Sequence, residues 1–170
     1  MSLYMKRLLS YIDVYLEGIF INIENSTFLP AQQASLYRIF FGLFLLIVNL
    51  PYYGWMKGIP DLLFDPPRIS FPALYGEFLP DSCLMFLDIA IVLCALLITL
   101  GIKARWASVL FFILCTLGSS FGNSFGQIDH YFLMPLTVLC FSFTNWGTYN
   151  AWLPDKKLPY HRSSIALLAI

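Results

Sequence analysis

Residues 81–122 read DSCLMFLDIAIVLCALLITLGIKARWASVLFFILCTLGSSFG, and this stretch decides the fold class. It contains two apolar runs, residues 83–100 and 106–121, and each is close to the length that crosses a hydrocarbon core as an α-helix. A short turn that carries Lys103 and Arg105 separates the two runs. The pattern predicts two antiparallel membrane-spanning helices joined by a basic turn.

Similar apolar runs lie on either side of this pair, at residues 36–53 and 131–146. We therefore predict an all-α, polytopic integral membrane protein with an antiparallel four-helix transmembrane bundle over residues 30–155. Residues 1–29 place apolar and polar side chains on opposite helical faces, which predicts an amphipathic interfacial helix. Residues 156–170 are expected to form a basic cytoplasmic loop followed by the start of a fifth span.

That last apolar stretch, residues 163–170, is too short to cross a membrane. Its eight residues would cover roughly 12 Å of a hydrocarbon core that is roughly 30 Å thick. Two explanations remain open. The chain is the front part of a longer protein, or it is a complete four-span protein with a short buried tail.

The composition excludes several classes of protein. Of the 170 residues, 59% are hydrophobic and 12% are charged, and the mean hydropathy is +0.72. A disordered chain needs low hydrophobicity, and a nucleic-acid binder needs an excess of basic residues. Because ten Lys and Arg are balanced by ten Asp and Glu, neither class fits. The expected partners are the lipid bilayer and a further membrane segment or partner subunit, and not a nucleic acid.

The charged residues predict the orientation. If the spans alternate, eight basic and four acidic residues lie on one side, and two basic and six acidic residues lie on the other. The basic side is expected to be cytoplasmic, which puts the N-terminus in the cytoplasm and the loops 55–82 and 122–130 outside. The localisation expected is the inner (plasma) membrane of a bacterium. The basic residues of the cytoplasmic side are Lys6, Arg7, Arg38, Lys103, Arg105, Lys156, Lys157 and Arg162.

Polar side chains in three of the spans indicate a candidate site near the outer surface. Asp88 lies two turns inside the second span, where a carboxylate is costly and by default marks a functional position. Ser119 and Asn123 lie at the outer end of the third span, and His130 opens the fourth. We expect Asp88, His130, Ser119 and Asn123 to line one outward-facing, cofactor-binding pocket, with His130 as the candidate catalytic residue.

Structural explanations compete with each of these assignments. Small polar residues such as Ser119 often hold membrane helices together, and a histidine at the membrane surface is often simply solvated. A metal site is not expected, because His130 and His161 fall on opposite sides of the membrane. Motifs for nucleotide binding and for serine hydrolases are absent from the sequence.

Three sequence features resemble the horizontally transferred transmembrane (HTTM) domain, the membrane module of vitamin K-dependent gamma-glutamyl carboxylases and their bacterial relatives. These features span roughly residues 30–155 and are Arg38-Ile39-x-x-Gly42, Leu100-Gly101-Ile102-x-x-Arg105, and Asn123 followed by Asp129-His130-Tyr131. The resemblance implies that His130 belongs to a site that oxidises vitamin K hydroquinone, or binds menaquinone, and drives carboxylation of Glu side chains. The catalytic lysine of the family lies in a later span, beyond Ile170, so this chain by itself is not expected to carboxylate.

Two main classes of function therefore remain open. In the first, the chain is the N-terminal part of a carboxylase-like, quinone-handling membrane enzyme. In the second, it is a non-catalytic four-span scaffold or accessory subunit, similar to the short DoxX-like membrane proteins. A transporter is a weaker third alternative, because Asp88 could bind a proton or cation but the sequence has no visible inverted repeat.

Overall fold

The computed structural model describes residues 30–48, 50–68, 70–125 and 132–157. The predicted interfacial helix, His130 and the predicted start of a fifth span lie outside these residues. Within the described ranges the fold is all-helical, as predicted, and the β pairing found there is one isolated bridge between Ile102 and Leu153. The α-helices are α1 (Ala31–Ile47), α2 (Phe71–Tyr75), α3 (Asp81–Leu100), α4 (Ala104–Gly122) and α5 (Leu133–Ser142).

The helices α3 and α4 form the hairpin that the sequence predicts. Gly101 ends α3 in the left-handed conformation (φ 74°), and the next amide, Ile102 N–H, donates to the carbonyl of Leu97 at 2.9 Å. Lys103, also left-handed, turns the chain into α4. By length and composition, the segments Asp81–Leu100 and Ala104–Phe125 are each able to cross a membrane.

The outer two helices differ in extent from the predicted spans. Helix α1 covers Ala31–Ile47 rather than residues 36–53, because the ring of Pro51 would clash with the carbonyl of Ile47 if the helix continued. Helix α5 covers ten residues, Leu133–Ser142, where the sequence predicts residues 131–146. Pro135 lies in the first turn of α5, where a missing N–H is tolerated.

The helices pack in a simple order. Helix α3 packs against both α1 and α4, and α4 packs in turn against α5. The contact between α1 and α3 is close because Gly42 faces Thr99, and a side chain at Gly42 would overlap the Thr99 hydroxyl. Tyr37 of α1 also lies beside Phe141 of α5, with ring centroids 5.0 Å apart, so α1 contacts the last helix as well.

The outward faces of the helices are apolar. Each of the four longer helices exposes large hydrophobic side chains, and only 33% and 39% of the two spanning windows are buried. Such a surface is poorly solvated by water and well solvated by lipid. Examples of these exposed side chains are Phe40, Ile47, Phe86, Leu93, Trp106, Ile113 and Leu133.

The two ends of the bundle are named here by a buried aromatic residue. The Phe121 end holds the start of α3, the end of α4 and the loop of residues 50–80. The Trp146 end holds the start of α1, the α3–α4 turn and the segment that follows α5.

Candidate functional site at the Phe121 end

The carboxylate of Asp88 binds the backbone of the loop that follows α1. One oxygen accepts a hydrogen bond from the N–H of Tyr53 at 2.7 Å, and the other accepts one from the N–H of Gly54 at 2.9 Å. These two amides lead into the 3₁₀ turn Gly54–Met56. A carboxylate that accepts two amide hydrogen bonds is a strong acceptor, so Asp88 fixes this turn against α3.

The side chain of Tyr53 continues the connection to α4. Its ring is 5% exposed, and its hydroxyl lies 2.8 Å from the carbonyl oxygen of Cys115 and 2.8 Å from Oγ of Ser119. A phenol has one proton, and the carbonyl can only accept it, so Ser119 donates to the Tyr53 oxygen. Gly118 makes this approach possible, because a side chain there would overlap the tyrosine ring.

The predicted site residues therefore have different positions in the structure. Asp88 and Ser119 both contact Tyr53, which joins α3, the loop and α4 into one hydrogen-bonded unit. Asn123 lies one turn beyond Ser119, caps the end of α4 and exposes its side chain. His130 lies outside the described residues, so its position relative to the other three stays a prediction.

A groove lies between α3 and α4, and one of its lining residues, Leu87, is the neighbour of Asp88 in the sequence. Its volume is about 350 Å³, which is within the range of small-molecule sites. The sulfur of Cys83 is the one side-chain heteroatom among its lining residues, so the groove suits an apolar ligand. Its lining residues are Leu79, Cys83, Phe86, Leu87, Ala90, Leu114 and Leu117.

An aromatic cluster covers the end of α4. The buried ring of Phe121 packs against four rings of the loop of residues 50–80, with centroid distances from 6.2 to 6.4 Å. These rings are Phe64, Phe71, Tyr75 and Phe78. Most of these pairs meet edge to face, which is a favoured arrangement of aromatic rings. The loop is therefore folded onto the bundle beside the groove.

A second polar arrangement lies at the Trp146 end. The fully buried Arg38 donates from Nη1 to the carbonyl of Trp146 at 2.7 Å and from Nη2 to the carbonyl of Asn150 at 2.5 Å. Ser35 donates to the same Trp146 carbonyl at 2.9 Å. These contacts hold the segment after α5 against α1, and they place Arg38 far along the bundle from Asp88.

Arg105 and Asp155 extend the arrangement at the Trp146 end. The Arg105 side chain donates from Nε to the carbonyl of Ser142 at 3.1 Å, and its backbone N–H donates to Oδ2 of Asp155 at 2.9 Å. The backbone N–H of Asp155 donates to the carbonyl of Gly147 at 3.0 Å. Two of the basic residues that predict the orientation, Arg38 and Arg105, thus also have structural roles.

Comparison with protein-family models, curated proteins and solved structures found no match to this chain. Among the described residues, no group of three or more His, Cys, Asp or Glu side chains is arranged to hold a metal ion. The resemblance to the HTTM domain accordingly stays a hypothesis that depends on the sequence features alone.

Sequence reasoning missed Tyr53 and the groove. Tyr53 stands in the loop just after Pro51, and an aromatic residue there is equally typical of a membrane interface. The groove depends on how the side chains of two helices pack. Cys83, Leu87 and Ala90 recur about one turn apart on α3, and this spacing is the one sequence signal for the α3 side of the groove.

Proposed function

We propose that this chain is a membrane-embedded helical bundle that binds the apolar part of a lipid-soluble quinone or a related prenyl compound in the groove between α3 and α4. The groove is the observation that carries the proposal, because it combines a ligand-sized volume of about 350 Å³ with an apolar lining. The resemblance to quinone-handling carboxylases supports the same class of ligand.

The apolar outer surface supports the membrane part of the proposal. Four helices expose large hydrophobic side chains to their surroundings, and two of the helices have spanning length. In this proposal α1 and α5 complete a four-span bundle with help from their flanking residues. The Phe121 end faces the outside and the Trp146 end faces the cytoplasm, as the distribution of basic residues predicts.

In this proposal the groove and the hydrogen-bonded unit of Asp88, Tyr53 and Ser119 have different roles. The groove offers dispersion contacts and the exclusion of water, which suit a prenyl chain but supply no group that orients a polar ring. The carboxylate of Asp88 and the hydroxyl of Ser119 already have internal partners, so their role is to hold Tyr53 and its loop against α3 and α4. A quinone headgroup would then depend on residues such as Asn123 and His130.

A photoreactive menaquinone analogue tests the proposal in lipid nanodiscs. We expect it to label peptides of α3 and α4, and we expect Ala90→Phe to reduce labelling because the new ring fills the groove. Ile89→Phe is the matched control, because Ile89 is the neighbouring residue on α3, is exposed and does not line the groove. Equal labelling of both variants and the unmodified chain would exclude the groove as the binding site.

A second arm of the same experiment tests whether His130 contacts the quinone headgroup. If His130 contacts the quinone ring, His130→Ala weakens binding while labelling of the groove by a plain prenyl probe persists. Unchanged quinone affinity in His130→Ala would remove His130 from the site but would leave the groove intact.

A non-catalytic scaffold or accessory subunit is the second candidate. The observation that favours it is that Asp88 and Ser119, two of the proposed pocket residues, bond to the protein's own backbone and to Tyr53. Cross-linking in the native membrane, followed by mass spectrometry, tests this candidate. A stoichiometric partner protein would favour it, and recovery of the chain as an uncross-linked monomer would count against it.

A further inference from the structure

We infer that the loop between α1 and α3 lies in the lipid interface at the Phe121 end, rather than in water. This inference rests on the proposal that the bundle is membrane-embedded. It concerns five exposed apolar side chains of the loop, called here the apolar loop face. These are Leu62, Leu63, Phe71, Leu74 and Tyr75.

The exposure of this face is high. Leu62 is 95% exposed and Leu74 is 85% exposed, although both are large aliphatic residues. Phe71, Leu74 and Tyr75 share one face of the short helix α2, because they are spaced three and four residues apart. Large apolar residues that are exposed together on one helix face, as these three are, mark a surface that contacts lipid or another protein.

The depth of the loop favours lipid. The rings of Phe71 and Tyr75 pack on Phe121, which lies in the last turn of α4. Helix α4 has 19 residues and is therefore about 28 Å long, close to the roughly 30 Å thickness of a hydrocarbon core. If Arg105 in its first turn marks one boundary of the bilayer, the loop is at the other boundary.

The surroundings of the face suit the same location. The exposed apolar row of α3 begins with Met85 and Phe86, about one turn from the end of the loop, and the exposed polar residues Asp81 and Ser82 stand between the two. Trp55 and Tyr75 are residue types that concentrate at membrane interfaces. The exposed charges of the loop include both signs, which fits a zwitterionic headgroup layer.

Fluorescent labelling at cysteines introduced one at a time tests the inference. The parent variant is Cys83→Ser/Cys140→Ser, because Cys83 is exposed and Cys140 is partly exposed, whereas Cys94 and Cys115 are buried. An environment-sensitive NBD label is placed at Leu62→Cys or Leu74→Cys, with Lys57→Cys and Glu77→Cys as exposed polar controls from the same loop. The proteins are studied in phosphatidylcholine nanodiscs that hold one copy each, and each variant must keep the unfolding transition of the parent.

We expect blue-shifted emission and strong quenching by doxyl-labelled lipid for the probes at residues 62 and 74, and water-like emission for the probes at residues 57 and 77. Water-like, unquenched emission at residues 62 and 74 would overturn the inference. Shielding that appears only with two copies per nanodisc, or only after another protein is added, would also overturn it and would assign the face to a protein contact.

A probe at Ile89→Cys separates this inference from the proposed function. Ile89 is an exposed residue on α3, within the proposed span. Quenching at residue 89 without quenching at residues 62 and 74 would reject the interfacial loop and keep the membrane-embedded bundle. Lack of quenching at residue 89 would reject both.

Discussion

The carboxylate of Asp88 accepts the backbone N–H of Tyr53 at 2.7 Å, across 35 positions of sequence. This hydrogen bond holds the loop that precedes α3 against the second turn of that helix. The same carboxylate takes the N–H of Gly54, so both of its oxygens have partners. The position of the loop over the Phe121 end depends on this relationship.

Asp88→Asn should destabilise the protein. The amide can accept with only one atom, and its NH₂ group would face a backbone N–H, so we expect a loss of about 1–3 kcal/mol in the free energy of unfolding. Unfolding in mixed micelles, followed by circular dichroism, measures the change. Asp65→Asn is the control, because the Asp65 side chain is exposed. Equal stability of the two variants would show that the Asp88 contacts contribute nothing.

Tyr53→Phe and Ser119→Ala should act on one shared contact. Each single variant is expected to lose about 1 kcal/mol of unfolding free energy. The double variant is expected to lose less than the sum, because both changes remove the same hydrogen bond. Tyr75→Phe controls for the general effect of removing a tyrosine hydroxyl. Strict additivity in this cycle would contradict the contact.

Gly118→Ala and Gly122→Ala should have opposite effects. Replacing a helical glycine by alanine favours the helix by up to about 1 kcal/mol. At Gly122 the new methyl group would lie 3.5 Å from the Trp55 ring, an ordinary contact, so the gain is expected to persist. At Gly118 the methyl group would overlap the Tyr53 ring, and we expect a net loss of roughly 1–3 kcal/mol. Thermal unfolding of the two variants, measured side by side, tests this prediction, and a change of stability in the same direction in both would contradict it.

Arg38→Lys should destabilise the Trp146 end. Lysine has one ammonium group and cannot reproduce the fork that contacts the carbonyls of Trp146 and Asn150. We expect a loss of about 1–3 kcal/mol, because the Asn150 carbonyl loses its arginine donor and the Trp146 carbonyl keeps only Ser35. Arg68→Lys, a change at an exposed arginine, is the control and should leave the unfolding midpoint unchanged. Protection of residues 146–150 from hydrogen exchange should fall only in Arg38→Lys.

Impermeant maleimide labelling should distinguish the two ends in intact cells. In the Cys83→Ser/Cys140→Ser background, a cysteine at position 57 is expected to react from outside, and a cysteine at position 103 only after the membrane is opened. Both lysines are exposed, so accessibility in the folded protein is matched. The reverse pattern would invert the orientation that the basic residues predict.

The hairpin of α3 and α4 could be predicted from the sequence because it depends on continuous apolar runs and a glycine stop. The bounds of α1 and α5 were harder to predict. At α1 the apolar run continues beyond Ile47, where the proline four residues later ends the helix. At α5 the helix ends after Ser142, where the Thr144 hydroxyl donates to the carbonyl of Phe141, and the buried Trp146 lies beyond the helix although it looks like the end of the apolar run.

The candidate site could be predicted only in part. The cost of a carboxylate within an apolar span drew attention to Asp88, but its partners are backbone amides, and any residue type except proline supplies those. The sequence therefore gives no sign of where the carboxylate points. The groove could not be predicted from the sequence either, because a helix face that lines a groove has the same composition as one that contacts lipid.

The buried guanidinium of Arg38 also has a consequence for the order of assembly. The carbonyl of Trp146 that it contacts lies 108 positions later in the chain. During synthesis, α1 is complete long before its acceptors exist, and until then the Arg38 guanidinium depends on water for its hydrogen bonds. The Arg38 contacts that close the Trp146 end thus form only after the segment that follows α5 has been made.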